Sequence, residues 1–233
     1  MLNNIVYAGR MLSDFNTYIT NAGVYSTPAR DYESVAVPGR SGNLIIENNK
    51  FANVEHLYPV IIMDDFDKNY AALKAYLLSK RGYNRLADTF CPDEFYMASF
   101  ARIDKITQRF PEAQKGSCVL VFDRKPQRYL KTGENTYTFT ASGELLNPTQ
   151  FDALPLITVY GSGAITIGDI SIEVTTTAEK LDIDCELQEV LQAGGNLDIT
   201  LTDGAFPVLK PGANALVFSG FSQVEITPRW WTL

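Results

Sequence analysis

The stretch Gly163-Ala164-Ile165-Thr166-Ile167-Gly168-Asp169-Ile170-Ser171-Ile172-Glu173-Val174 is written in a period of two. Ile165 and Ile167 alternate with polar residues, Gly168-Asp169 breaks the run, and Ile170, Ile172 and Val174 alternate again. Side chains two apart on a strand share a face, so this pattern predicts a hairpin with one apolar side. A two-residue loop with Gly first suits a type II′ turn, whose twist matches that of paired strands. Further out, Leu181, Ile183, Cys185 and Leu187 repeat the alternation, as do Leu197, Ile199 and Leu201. Leu146-Asn147-Pro148 and Pro211-Gly212-Ala213-Asn214 supply turns, the Pro-Gly pair fitting the centre of a type II turn. The period is two almost everywhere after residue 135, which predicts an all-β sandwich.

The first half follows a different pattern. Tyr58-Pro59-Val60-Ile61-Ile62-Met63 reads as a strand, with Pro59 expected at an edge or a strand start because it lacks an N–H. Asp67 is the expected N-cap of a helix whose Tyr70, Leu73, Leu77 and Leu78 form one apolar face, with Gly82 as its terminator. One amphipathic helix must bury its stripe against the surrounding strands, so this half is α+β. Pro38-Gly39-Arg40-Ser41-Gly42 is a turn-rich segment ahead of Leu44-Ile45-Ile46, and Cys118 to Phe122 is a buried strand. Thr132-Gly133-Glu134-Asn135 has linker composition. The expectation is a mainly β protein: a β-rich α+β domain over residues 1–131 and a β-sandwich over 132–233. Both tryptophans, Trp230 and Trp231, lie within four residues of Leu233. Burying a large apolar side chain is worth roughly 1.5–3 kcal/mol, so this tail is expected to be a last strand or to dock.

Composition excludes several classes of function. The chain has 233 residues, 45% hydrophobic and 20% charged, with a formal charge of −7. Nucleic-acid affinity comes chiefly from clustered Lys and Arg, so an acidic balance argues against it. Cys91, Cys118 and Cys185 are widely spaced and the single histidine is His56, a set that offers no zinc site and no disulfide framework. Cys118 and Cys185 read as small core hydrophobes. No secretory signal and no apolar run of roughly 20 residues is present, so synthesis in cytoplasm without membrane anchoring is expected.

Each chemical candidate meets a simpler reading. Asp182 and Asp184 share a strand face and could pair as metal ligands or glycosidase carboxylates, but a solvated face of an alternating strand explains them. Asp64, Asp65 and Asp67 precede the helix, where the macrodipole favours acids. Gly39-Arg40-Ser41-Gly42 lacks the Lys-Ser/Thr of a phosphate-binding loop and reads as a tight turn presenting Arg40 to a partner. His56 stands in strand context and reads as structural. Arg124, Lys125, Arg128 and Lys131 form the only basic cluster, beside Tyr129, and suit an interdomain or intersubunit role. No catalytic constellation, cofactor motif or metal set is expected.

Four stretches in series resemble the distal tail proteins of siphophages, called Dit. Asp31-Tyr32-Glu33-Ser34-Val35-Ala36-Val37-Pro38-Gly39-Arg40-Ser41-Gly42 is similar to the family's opening motif, and Gly82 to Thr89 with Pro92-Asp93-Glu94 to the segment after its helix. Phe122 to Lys131 is similar to its junction, and Pro228-Arg229-Trp230-Trp231-Thr232-Leu233 to its ending. The resemblance implies a non-enzymatic virion component at the tail tip or baseplate, with a galectin-like C-terminal sandwich. It implies a homohexameric ring formed by the N-terminal domain, contacting the tail tube protein, the tail-associated tip protein and receptor-binding or baseplate proteins. DNA would pass through the lumen, and the acidic balance would suit that passage. The second half has no room for a carbohydrate-binding insertion. Arg40, Arg124, Arg128, Tyr129, Arg229, Trp230 and Trp231 are the candidate subunit or domain interface residues. The competing reading is a carbohydrate-binding sandwich using Trp230 and Trp231, and behind it a hydrolase using Asp182 and Asp184.

Overall fold

The computed structural model describes all residues except 1–2, 22–26, 105–107, 111, 113, 193, 195–196 and 202–203. The protein is mainly β, with 56% of the described residues in strand and 11% helical. It divides into two compact units, Met1–Arg128 with Leu233, and Tyr129–Thr232.

Unit 1 contains β1 (Ile5–Tyr7), β2 (Arg10–Met11), β3 (Thr17–Ile19), β4 (Arg30–Val35), β5 (Leu44–Phe51), β6 (Val54–Ile62), α1 (Phe66–Ser79), β7 (Asn84–Asp88), β8 (Glu94–Ile103) and β9 (Gln108–Phe110). The long strand β10 (Lys115–Leu130) follows. Its main sheet has the order β2-β1-β7-β8-β10-β6-β3, with β9 also paired to β10. Residues alternate in and out along β6, so Tyr58, Val60 and Ile62 are buried and meet Leu120 and Cys118 of β10. Helix α1 closes this core with Phe66, Leu73 and Leu77. Phe122 is its aromatic centre, met edge-on by Tyr7, Tyr58 and Phe100 at 5.0–6.0 Å. At Gly116 a Cβ would stand 2.5 Å from the Phe66 ring, so only glycine allows the helix start to lie this close.

Three expectations for this unit need correction. Asp65, not Asp67, occupies the N-cap, and its side chain makes no cap bond. Asp64 and Asp65 are both left-handed, and the helix start is secured instead by the Phe66 N–H on the Gln114 carbonyl and the Asn69 amide on the Asp64 carbonyl. Leu78 is exposed, because one residue beyond Leu77 turns it about 100° off the buried stripe. Pro59 lies inside β6 rather than at its start. It is tolerated there because pairing with β3 ends at Ile19 opposite Val60, and the Pro59 carbonyl takes the Thr20 N–H.

Unit 2 contains β11 (Tyr137–Phe139), β12 (Gly143–Asn147), β13 (Leu156–Tyr160), β14 (Gly163–Ile167), β15 (Ile170–Thr176), β16 (Lys180–Asp184), β17 (Glu189–Gln192), β18 (Leu197–Leu201), β19 (Gly212–Ser219), β20 (Gln223–Thr227) and β21 (Trp231–Thr232). Two five-stranded antiparallel sheets form, in the orders β11-β20-β13-β16-β17 and β12-β19-β14-β15-β18. Ile157, Val159, Leu181, Ile183, Val224 and Ile226 of the first share one core with Ile165, Ile167, Ile172, Val174 and Leu216 of the second. The β14–β15 hairpin has the expected register, Ile167 opposite Ile170 and Ile165 opposite Ile172. Gly168 has φ +59 and Asp169 stays at negative φ, the combination of a II′ turn rather than I′. Leu187 breaks the expected alternation: β16 ends at Asp184, and Leu187 is exposed in the turn that follows.

Candidate interaction surfaces

Strands β4 and β5 form a sheet of their own. Its turn is built by Val37-Pro38-Gly39-Arg40. The Arg40 N–H bonds the Val37 carbonyl at 3.2 Å and Gly39 has φ +76, the type II arrangement in which Pro fixes φ and Gly accepts the positive one. At the other end the register slips between Asp31 and Tyr32, leaving Asn48 and Asn49 as a bulge, with Asn49 left-handed. Lys50 pairs with Asp31 at 2.9 Å, and the Asn48 amide donates to the same carboxylate. These are exposed contacts of small worth.

The apolar residues of this hairpin face solvent. Tyr32, Val35, Val37, Leu44, Ile45 and Ile46 have relative exposures between 37% and 52%. Scattered apolar residues on a surface are ordinary, but six on one hairpin, divided between its two faces with Tyr32 and Ile45 on one and Val35, Leu44 and Ile46 on the other, are exposure of the kind that marks an interface. A two-stranded hairpin alone is marginal in water, so this one gains most from a partner. Arg40 is exposed at its turn and forms no side-chain ion pair among the described residues.

The other candidate interface residues are used by their own units. In unit 1, Arg124 is buried with its guanidinium 4.2 Å from the Tyr96 ring centre. Arg128 grips Glu94 with two N–H···O bonds of 2.9 and 2.5 Å, which holds its charge. In unit 2, Arg229 makes a bidentate pair with Asp184 at 2.7 and 2.8 Å, and this guanidinium keeps the Asp184 carboxyl below its ordinary range. Asp184 also accepts the N–H groups of Glu186 and Leu187. Burial raises the Tyr129 hydroxyl to about 12. Trp230 is 2% exposed, within the sandwich core. The Trp231 ring stacks on Phe151 at 4.4 Å and donates to the Asp152 carbonyl.

These tail residues are brought together by backbone as well. The Leu130 N–H bonds the Trp230 carbonyl, and the Arg229 N–H bonds the Gly133 carbonyl at 2.8 Å. A Cβ on Gly133 would stand 2.3 Å from the Trp230 nitrogen. Thr132-Gly133-Glu134 is therefore a 3₁₀ turn packed on the C-terminal tail rather than a free tether. No local pattern marks the match of Asp184 with Arg229, 45 residues away. An acid on the outward face of a strand normally needs no partner.

Candidate chemistry finds little support in the geometry. Arg229 keeps the Asp184 carboxyl ionised, and Asp182 accepts the Thr158 hydroxyl at 2.6 Å. Asp184 is also not on a solvated face, as it is buried beneath Arg229. His56 is buried against Tyr58, with neither ring nitrogen hydrogen-bonded. No group of three or more His, Cys, Asp or Glu residues among those described is placed to hold a metal ion. Cys91, Cys118 and Cys185 form no disulfide.

Comparison with solved structures places this fold. The chain is similar over 100% of its length and 100% of the other chain to the Dit protein (gp 19.1) of phage SPP1, described as a paradigm of the hub adsorption apparatus in phages infecting Gram-positive bacteria. The TM-score is 0.72 at 14% identity. It is also similar to a chain of the phage p2 baseplate in its activated, strontium-bound conformation, with a TM-score of 0.51, 11% identity and 97% and 96% of the two chains covered. No protein-family model and no curated protein matches the sequence. At such low identity the likeness lies in the fold: the chain has the fold of a phage distal tail protein.

Proposed function

We propose that the chain is a structural hub of a siphophage tail tip or baseplate, without catalytic activity, working in the virion. It assembles as a hexameric ring through unit 1 and joins the tail tube to the tail-tip protein and the receptor-binding apparatus. Unit 2 faces partners outside the ring, and DNA crosses the lumen. The observation that carries this reading is the likeness of fold to a hub protein along both chains in full. The β4–β5 hairpin supports self-association, since its solvent-facing apolar residues need a cover that the described chain does not supply.

The formal charge of −7 offers no support for an acid-lined bore built by unit 1. Unit 1 holds 16 Lys and Arg against 14 Asp and Glu, whereas unit 2 holds 4 against 13. The acidity therefore belongs to unit 2. A carbohydrate-binding reading loses its platform, because Trp230 is in the core and one face of Trp231 is covered by Phe151. Negative-stain imaging and native mass spectrometry of the purified chain test the hub reading. Six protomers around a central hole are expected; a persistent monomer at high concentration, or a ring of another order, counts against it.

A further inference from the structure

Strand β17, Glu189-Val190-Leu191-Gln192, is an end strand that pairs only with β16 among the described residues. End strands invite a further strand, and proteins usually blunt them with Lys, Pro or shortness. Here β11 has three residues and β12 runs into Pro148, whereas β17 and β18 carry neither Lys nor Pro, and of these two β17 is the one in markedly acidic surroundings. Val190 packs on the core, which turns Glu189 and Leu191 to the outer face. Leu191 is more than half exposed, as is Leu187 in the adjoining turn.

The surroundings are acidic. Leu191 lies opposite Asp182 and Glu189 opposite Asp184. Between residues 179 and 192, Glu179, Asp182, Asp184, Glu186 and Glu189 face a single base, Lys180. Arg229 is used on Asp184, with Glu186 a further 3.5 Å contact. An acidic edge repels nucleic acid and anionic lipid, so the sign of the charge selects a cationic partner. An end strand with an exposed leucine selects an extended one, whose backbone adds to the sheet while alternate side chains reach Leu191 and the acids.

We propose that β17 is a docking edge for a basic, strand-forming segment of another protein. This inference stands independently of the tail-hub reading. The probe is an end-blocked, fluorescent Lys-Val-Lys-Val-Lys-Val-Lys peptide added to the full chain, followed by anisotropy and by amide hydrogen exchange. Saturable binding is expected, weakening at least about tenfold between about 50 and 500 mM salt as the charges are screened. Exchange should slow at residues 189–192 of the unaltered chain. The double variant E189K/L191K, two exposed positions, should bind at least about tenfold more weakly. E144K on β12 should bind as the parent does. Equal binding by the double variant, equal binding of a Glu-Val peptide, protection confined to another element, or no binding of the basic peptide would each overturn the proposal.

Discussion

Two hairpins in this chain use the same kind of residue in opposite ways. In β14–β15 the isoleucines alternate with polar residues, and Ile165, Ile167 and Ile172 are buried between two sheets. In β4–β5 the apolar residues come as a run, Leu44-Ile45-Ile46, and all three are exposed. Strict alternation gives a strand one dry face and one wet face. A run gives it two apolar faces, and among the described residues no second layer covers them. The first hairpin completes a fold; the second needs another surface.

Substitutions can break this comparison, and the largest effect is expected in the buried hairpin. Ile172→Ala should lower the stability of unit 2 by about 2–5 kcal/mol, the usual range for emptying a core site, as read by urea denaturation. Acid should come next, in unit 1. Burial, with help from Arg124 and against the opposing pull of Asp88, lowers the His56 pKa to about 4. The Tyr58 ring meets the imidazole edge-on at 4.3 Å. A histidine free of the fold titrates near 6.5. The neutral ring's contribution is thus intact above about pH 6.5 and lost as pH falls towards 4, up to about 3 kcal/mol in all. Urea midpoints of the parent should fall across that window by more than those of His56→Leu.

A smaller loss, about 2 kcal/mol, is expected from Arg229→Ala, which strands the Asp184 carboxylate near the core of the sandwich. A thermal melt of unit 2 reads it, and restoring neutrality with Asp184→Asn in the same chain should recover part of the loss. The smallest effect on stability belongs to Ile45→Lys in the exposed hairpin, within about 0.5 kcal/mol for the protomer.

Alternation made the sandwich legible from sequence, because it reports directly which face is dry. The II′ turn at Gly168-Asp169 was legible for the same reason: glycine at that place has one common use. The helix was legible in its stripe of Leu73 and Leu77 but not in its ends. Its start depends on the Gln114 carbonyl and the Asn69 amide, contacts that no local pattern marks. Of the candidate interface residues, Arg40 was legible as an exposed turn, because Pro-Gly fixes the turn. The pairing of Arg124 with Tyr96 and Arg128 with Glu94 was hidden: the two arginines, four apart on β10, share a strand face, but their partners belong to the neighbouring strand β8, which no local pattern marks.

The measurement that tests the central claim most directly is the solution mass of the parent and of Ile45→Lys by light scattering at equal concentration. The parent is expected at about six times the 25.9 kDa protomer, and the variant at one, with an unchanged far-ultraviolet circular dichroism spectrum. Equal masses for the two chains, whether both assembled or both monomeric, would contradict the role given to the β4–β5 hairpin.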